Sequence, residues 1–217
     1  MNKNFIFYVF VFTLVFSLSR DAAFPGEKEI KLLGPDRTGG IPLMEAINKR
    51  KSSRSFSDKQ LPDKVLSNIF WAAFGINRTD SGKRTAPSAM DKQEIDIYAA
   101  MESGLYKYNA AKHSLELIAA KDIRLLTGRQ GFVKNAPLNL IYVADMSKVS
   151  GGTPEEKFLY AGADTGFIGE NVYLYCASEG LAVVIRAYID KDALGKAMNL
   201  KSNHMIILSQ TVGFPGK

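Results

Sequence analysis

A helical stretch from about residue 155 to residue 178, set between apolar β-rich runs, constrains this chain most. Within it Asp164, Ile168, Asn171 and Tyr175 are spaced by four, three and four, so they share one face on which two polar groups sit among apolar ones. Such a face must pack on other apolar surface, and the runs 138–143, 181–185 and 205–212 read as strands that supply it. Upstream, Pro42 opens a helix in which Leu43, Ala46 and Ile47 share a face. Pro62 opens another, carrying Val65, Leu66, Ile69 and Phe70, with Gly75 as its stop. Alternation at Ile95, Asp96, Ile97 and Tyr98 predicts a strand, while 105–108 and 115–117 are the arms of a hairpin that turns through Asn109 and Lys112. A short helix is expected over 192–198, and the turn-rich stretches 34–40 and 147–154 read as loops. Helices and strands mixed in this way make the fold class α+β.

Composition narrows the function classes. A chain of 217 residues with 46% hydrophobic content can bury one full core. Its formal charge of +6 is dispersed rather than gathered into blocks, without zinc-finger spacing or a basic reading helix, so no nucleic-acid partner is expected. Cys176 is alone in an apolar stretch and reads as core filling. His113 and His204 stand in no ligand-like spacing and near no nucleophile motif, which assigns no metal and no catalytic side chain. At the start, Lys3 precedes an apolar run of 14 residues (5–18), followed by small residues at Ser19, Ala22 and Ala23. That pattern reads as a secretory signal over 1–23 and predicts export, to the periplasm or beyond. The run is shorter than the roughly 20 residues a spanning helix needs, so no stable membrane span is expected. The organisation is then a signal segment (1–23), an N-terminal extension (24–40) and one main domain (41–217).

The sequence Arg50-Lys51-Ser52-Ser53-Arg54 follows the first helix with three cations and two hydroxyls. Guanidinium forks match phosphate oxygens, and serine adds an orientable hydroxyl, so the cluster suits a dianion. A basic run is also an ordinary solvated helix end, and on these residues alone both readings stand. Two readings also stand for Asp164 and Asn171, a structural network that ties neighbouring backbone or the support of a cofactor pocket.

Taken in order, these stretches resemble the FMN-dependent nitroreductases. Residues 50–56 are similar to the opening motif that holds the flavin, and 86–93 (Ala-Pro-Ser-Ala-Met-Asp-Lys-Gln) to the family's proline-serine loop. Residues 130–144 resemble its glutamine and alanine-proline strand, Asp164-Thr165-Gly166 with Asn171 its helix motif, and 212–215 its terminal strand. The hairpin 104–117 resembles one found in the branch that oxidises azolines to azoles on peptides. The resemblance covers roughly 41–217 and implies a nitroreductase-like α+β fold: a central mixed or antiparallel sheet flanked by helices, in a homodimer with FMN at the interface.

It also implies roles for particular residues. Arg50, Lys51, Ser52 and Arg54 would hold the phosphate and ribityl chain, with Lys217 as a further cation. Pro87, Ser88, Ala89 and Asp91 would lie along the isoalloxazine, reaching it from the partner subunit. Val184, Ile185, Arg186 and Ala187 would direct backbone N–H groups at the flavin N5. Two departures stand out: Asp91 replaces a customary asparagine, and Arg186-Ala187 replaces an acidic or apolar residue and glycine. The expected activity is an FMN oxidoreductase that takes hydride from NAD(P)H or another donor and passes it to a small nitroaromatic, quinone-like or conjugated acceptor. Loops 79–84 and 147–154 would select the acceptor. The alternatives are an azoline dehydrogenase acting on peptides and a non-catalytic flavin-binding protein.

Overall fold

A computed structural model describes residues 28–149 and 152–217. In chain order it contains β1 (Glu29–Lys31), α1 (Leu43–Lys49), α2 (Asp63–Phe74), β2 (Ile76–Arg78), β3 (Lys83–Arg84), β4 (Ile95–Met101), β5 (Gly104–Asn109) and β6 (Ser114–Ala119). Next come β7 (Leu138–Asp145), α3 (Pro154–Glu179), β8 (Ala182–Arg186), α4 (Lys191–Ala197) and β9 (His204–Gly213). Seven strands form one sheet in the order β1-β6-β5-β4-β7-β9-β8, antiparallel at every pairing, and β2 pairs with β3 alone. The expected α+β class is therefore the observed one, with a sheet that is wholly antiparallel among the described residues.

Both faces of the sheet are covered. On one, Ile69, Phe70 and Ala73 of α2 and Ile168, Val172 and Cys176 of α3 pack against Ile97, Leu140 and Tyr142. On the other, Leu194 and Met198 meet Tyr98, Ile141, Val143 and Ile206. This is why β7, near the centre, reads as an almost continuous apolar run instead of an alternating one. Fully buried side chains such as Phe70 and Ile69 each contribute roughly 1.5–3 kcal/mol through removal from water. Cys176 is buried among them, and desolvation raises its thiol pKa well above the ordinary range, as befits core filling.

The long helix begins where its sequence says it should. Thr153 accepts the Glu156 N–H while the Glu156 carboxylate accepts the Thr153 N–H, with Pro154 in the first turn, so orphan donors at this end are satisfied. Gly180 ends it at φ +67°, a left-handed conformation that a Cβ would strain. Two features go beyond the expectation. Within the stretch 24–40, Glu29–Lys31 forms an edge strand against β6, and Asp36 pairs with Lys64 of α2 at 2.9 Å. Around the expected loop 79–84, β2 and β3 make a small hairpin. Strands of two or three residues are too short to leave a periodic signal.

Candidate functional site

Residues 50–57 run along the open edge of β8 and the segment after β9, fastened to both through their backbone. The Ser53 N–H donates to the Val183 carbonyl at 2.8 Å, the Ser57 N–H to Phe214 at 2.9 Å, and the Gly216 N–H to Ser55 at 3.1 Å. From α3, the buried Tyr173 hydroxyl accepts the Ile185 N–H at 2.9 Å and lies 2.8 Å from Ser52 Oγ. The Arg50 guanidinium stacks over the same ring, 5.4 Å from its centroid. Ser55 Oγ donates to the Lys217 carbonyl at 3.2 Å, which brings the chain end to this edge. The expected phosphate residues Arg50, Lys51, Ser52 and Arg54 lie on the segment that Ser55 ties to Lys217. All four cations are exposed, and among the described residues none has a carboxylate partner. Exposed cations without counterions favour anionic ligands.

The strand itself behaves less uniformly than its four expected residues suggest. Val183 and Ile185 turn their backbone groups to the open edge, so by alternation those of Val184 and Arg186 face β9. The Ile185 N–H is already engaged by Tyr173. The next outward N–H is that of Ala187, exposed just past the strand end. Arg186, expected as a cation beside a flavin ring, lies instead over the sheet face at 7% exposure. It donates to the Thr127 carbonyl at 2.9 Å, Asn139 Oδ1 at 3.1 Å and Thr211 Oγ1 at 2.7 Å, with Phe132 stacked at 5.7 Å. These partners are all neutral, and burial pushes its pKa down to about 10, which still leaves it charged near neutrality. Gly128 makes room for it: a Cβ there would sit 1.9 Å from Arg186 Nη1.

Pro87, Ser88, Ala89 and Asp91 lie in a strained loop. Met90, Asp91 and Gln93 hold φ of +54°, +53° and +47°. Left-handed non-glycine residues each cost of order 1–3 kcal/mol, and the loop keeps them because it is over-determined. The Ala89 N–H donates to Asp164 Oδ2 at 2.8 Å, the Gln93 N–H to Ser88 Oγ at 3.0 Å, and the Gln93 amide to Asp91 Oδ1 at 3.1 Å. Asp91 thus accepts from within its own loop. Asn171 Nδ2 donates to the Ala72 carbonyl at 3.0 Å and ties α3 to α2. The two polar residues of the long helix therefore both anchor backbone, and Asp164 anchors the candidate loop. Among the described residues no hydrogen bond joins this loop to residues 50–54.

Sequence reasoning missed Tyr173 and Glu94. Tyr173 bonds groups 121 and 12 residues away, so nothing local in the sequence points to it. Glu94, 1% exposed between the strained loop and β4, reads in sequence as one more polar residue before a strand.

Residues 47–214 match the nitroreductase family, and the chain belongs to it and is an oxidoreductase. A candidate nitroreductase of Ralstonia eutropha superposes with a TM-score of 0.84 at 43% identity, covering 88% of this chain and 91% of that one. A candidate nitroreductase of Methanocaldococcus jannaschii is 28% identical over 77% of this chain and 89% of its own length. Two distant structures share the fold. The NADPH:FMN oxidoreductase of Vibrio harveyi, complexed with NAD+, matches at TM-score 0.60 and 18% identity, over 81% and 69% of the two chains. The Escherichia coli microcin synthetase complex matches at 0.69 and 18%, over 99% and 85%.

These matches correct the expectation of an exported protein. Residues 1–23 lie outside the described residues, and the family match starts only at residue 47. Neither a described element nor a matched relative supports a signal segment, and export is not assigned to this protein. Among the described residues, no helix is long and apolar enough to cross a membrane.

Proposed function

We propose that this chain is an FMN-dependent oxidoreductase that works as a homodimer, moving hydride from NAD(P)H or another donor to a nitroaromatic, quinone-like or conjugated small acceptor. One observation carries the reading: Arg50, Lys51 and Arg54, on the segment along the edge of β8 that Ser55 ties to Lys217, are exposed and have no carboxylate partner among the described residues. The residues present fit the group. Arg50, Lys51, Arg54 and Lys217 neutralise its phosphate, Ser52 orients it, and the outward Ala187 N–H offers a donor to the ring edge. FMN, when bound, supplies the hydride and electron chemistry, so no acid, base or nucleophile of the chain is required. The Vibrio relative named as an FMN oxidoreductase supports the cofactor and the nicotinamide donor.

The homodimer rests on two features. Loop 87–91 is fastened to α3 rather than to residues 50–54, which suits a loop that serves the site of a second copy. The neighbouring helices α1 and α3 expose Leu43, Met44, Ile47, Leu159 and Phe167, an apolar surface that a second copy covers.

The test is a titration of the purified protein with FMN, followed by flavin fluorescence, then NADH or NADPH under anaerobic conditions. Saturable binding and bleaching on either nicotinamide support the enzyme. Binding without bleaching by any supplied donor leaves a flavin-binding protein, and absence of binding ends the proposal. Azoline oxidation stays a second reading on the resemblance of hairpin 104–117 and on the shared fold of the microcin synthetase complex. Turnover of an azoline peptide with loss of two hydrogens per ring would favour it.

A further inference from the structure

Glu94 is an anomaly that the flavin site does not use. It is 1% exposed, and no other described residue gives either carboxylate oxygen an N–H or O–H donor. Its side chain lies beside Asp164 of α3, itself 3% exposed. Two bare carboxylates in a dry site repel strongly; one proton between them turns the contact into a hydrogen bond. Burial first, opposed by the backbone N–H of Glu94 itself and reinforced by the Asp164 carboxylate, pushes the Glu94 pKa up to about 7.

The surrounding charges leave this pair to itself. Lys148, exposed in the turn after β7, pulls in the opposite direction but does not bond the pair. The Asp145 N–H donates to the Glu94 carbonyl, while its carboxylate is taken up by Ser147 and Asn203. Asp96 is paired with Lys107 at 2.8 Å, Asp91 accepts from Gln93, and Arg84 donates to Gln93 and the Phe74 carbonyl.

Asp164 is also the acceptor that holds the Ala89 N–H at 2.8 Å, in the loop with three left-handed non-glycine residues. We propose that Glu94 holds a proton against the Asp164 carboxylate and that the two form a positioning latch for loop 87–91, closed while Glu94 keeps the proton and loosened when it leaves to solvent. With the proton gone, repulsion moves Asp164 from its place under Ala89, and the strained turn loses the contact that fixes it. Glu94 and Asp164 are positioning residues. The consequence for cofactor affinity rests on the proposed FMN function, whereas the latch itself is a property of the apo chain.

Linkage sets the direction of the pH effect. The folded value of about 7 stands above the unfolded reference of 4.5, so the folded state holds the extra proton between them. The stabilisation is complete below the unfolded value and is lost as pH rises through the folded one.

The experiment uses the apo protein and its Glu94→Gln variant, whose amide donates to Asp164 at every pH. Melting temperature and amide protection are followed from pH 4 to 8.5, with FMN affinity as a third arm. At the acid end the two proteins should melt alike, and at the alkaline end the wild type should melt several degrees lower. Protection of the Ala89 and Asp91 amides, corrected for intrinsic exchange, should fall about tenfold in the wild type alone. FMN affinity should weaken with pH in the wild type more than in Glu94→Gln. Constant wild-type protection across the range overturns the latch, a readout that needs no variant to fold. A gap between the proteins that is the same at every pH overturns it too. If FMN binds at no pH while protection still falls, the latch stands and the proposed FMN function fails.

Discussion

Arg50 and Arg186 lie on either side of one strand and do opposite work. Arg50 is exposed at the open edge of β8, stacked on Tyr173, and free of any carboxylate partner among the described residues. Arg186 is on the strand itself, where it is buried and directs three donor contacts at neutral acceptors of β7, β9 and the turn before β7. An exposed cation contributes little to folding and is available to a ligand. A buried one has exchanged its hydration for fixed hydrogen bonds and cannot give them up cheaply. Availability, more than charge, separates the arginine proposed to bind a ligand from the structural one.

The sharpest way to break this comparison is to remove the buried member. Arg186→Met leaves Asn139 Oδ1 and the Thr127 carbonyl without that donor in a dry site, and should lower stability by about 3–5 kcal/mol, read by urea denaturation. A loss under about 1 kcal/mol would show that these bonds are replaceable, and would put Arg186 back among the functional cations. Arg50→Ala should do the reverse. Removal of a charge-assisted bond worth about 1.5–3 kcal/mol weakens FMN binding roughly ten to a hundred fold, with stability nearly unchanged. Equal loss in both assays would erase the distinction. Tyr173→Phe lies between the two, because its hydroxyl serves both the fold and the edge. Loss of the acceptor for the Ile185 N–H should cost about 1–2 kcal/mol of stability, together with a smaller weakening of FMN binding as Ser52 loses its partner.

Legibility in the sequence tracks the range of the interactions. Helix α3 carries its start signal in four consecutive positions, Thr153 to Glu156, and β7 announces itself as an apolar run, so both were readable. The order of motifs from Arg50 to Pro215 placed the cationic cluster, and Asp164 showed itself as polar on an apolar face. Tyr173 did not, because its partners are brought to it only by the packing of α3 on the sheet. Arg186 was misread as a cation near the ring: alternation along β8 places its side chain on a face, but only the fold reveals that Thr211, Asn139 and Thr127 wait there. Glu94 went unseen for a similar reason, since a carboxylate is anomalous only once burial and a second carboxylate are known. The strand β1 was too short to show a period at all.

The smallest expected effect lies at the chain end, where the comparison is most finely drawn. Lys217 is exposed, and its backbone carbonyl, not its ammonium, is what Ser55 holds. A flexible ammonium on such an anchor acts as a nearby charge rather than as a fixed donor, so Lys217→Ala should weaken FMN binding by less than about 1 kcal/mol. That small effect should shrink further as salt shortens the screening length from about 10 Å at 0.1 M toward 3 Å at 1 M. Arg50, stacked and placed beside Ser52, should keep most of its effect under the same salt. Parallel FMN titrations of the two variants at both salt concentrations therefore separate a built contact from a diffuse field. If the two losses shrink in the same proportion, Arg50 too is only part of that field, and its stacking on Tyr173 does nothing for the ligand.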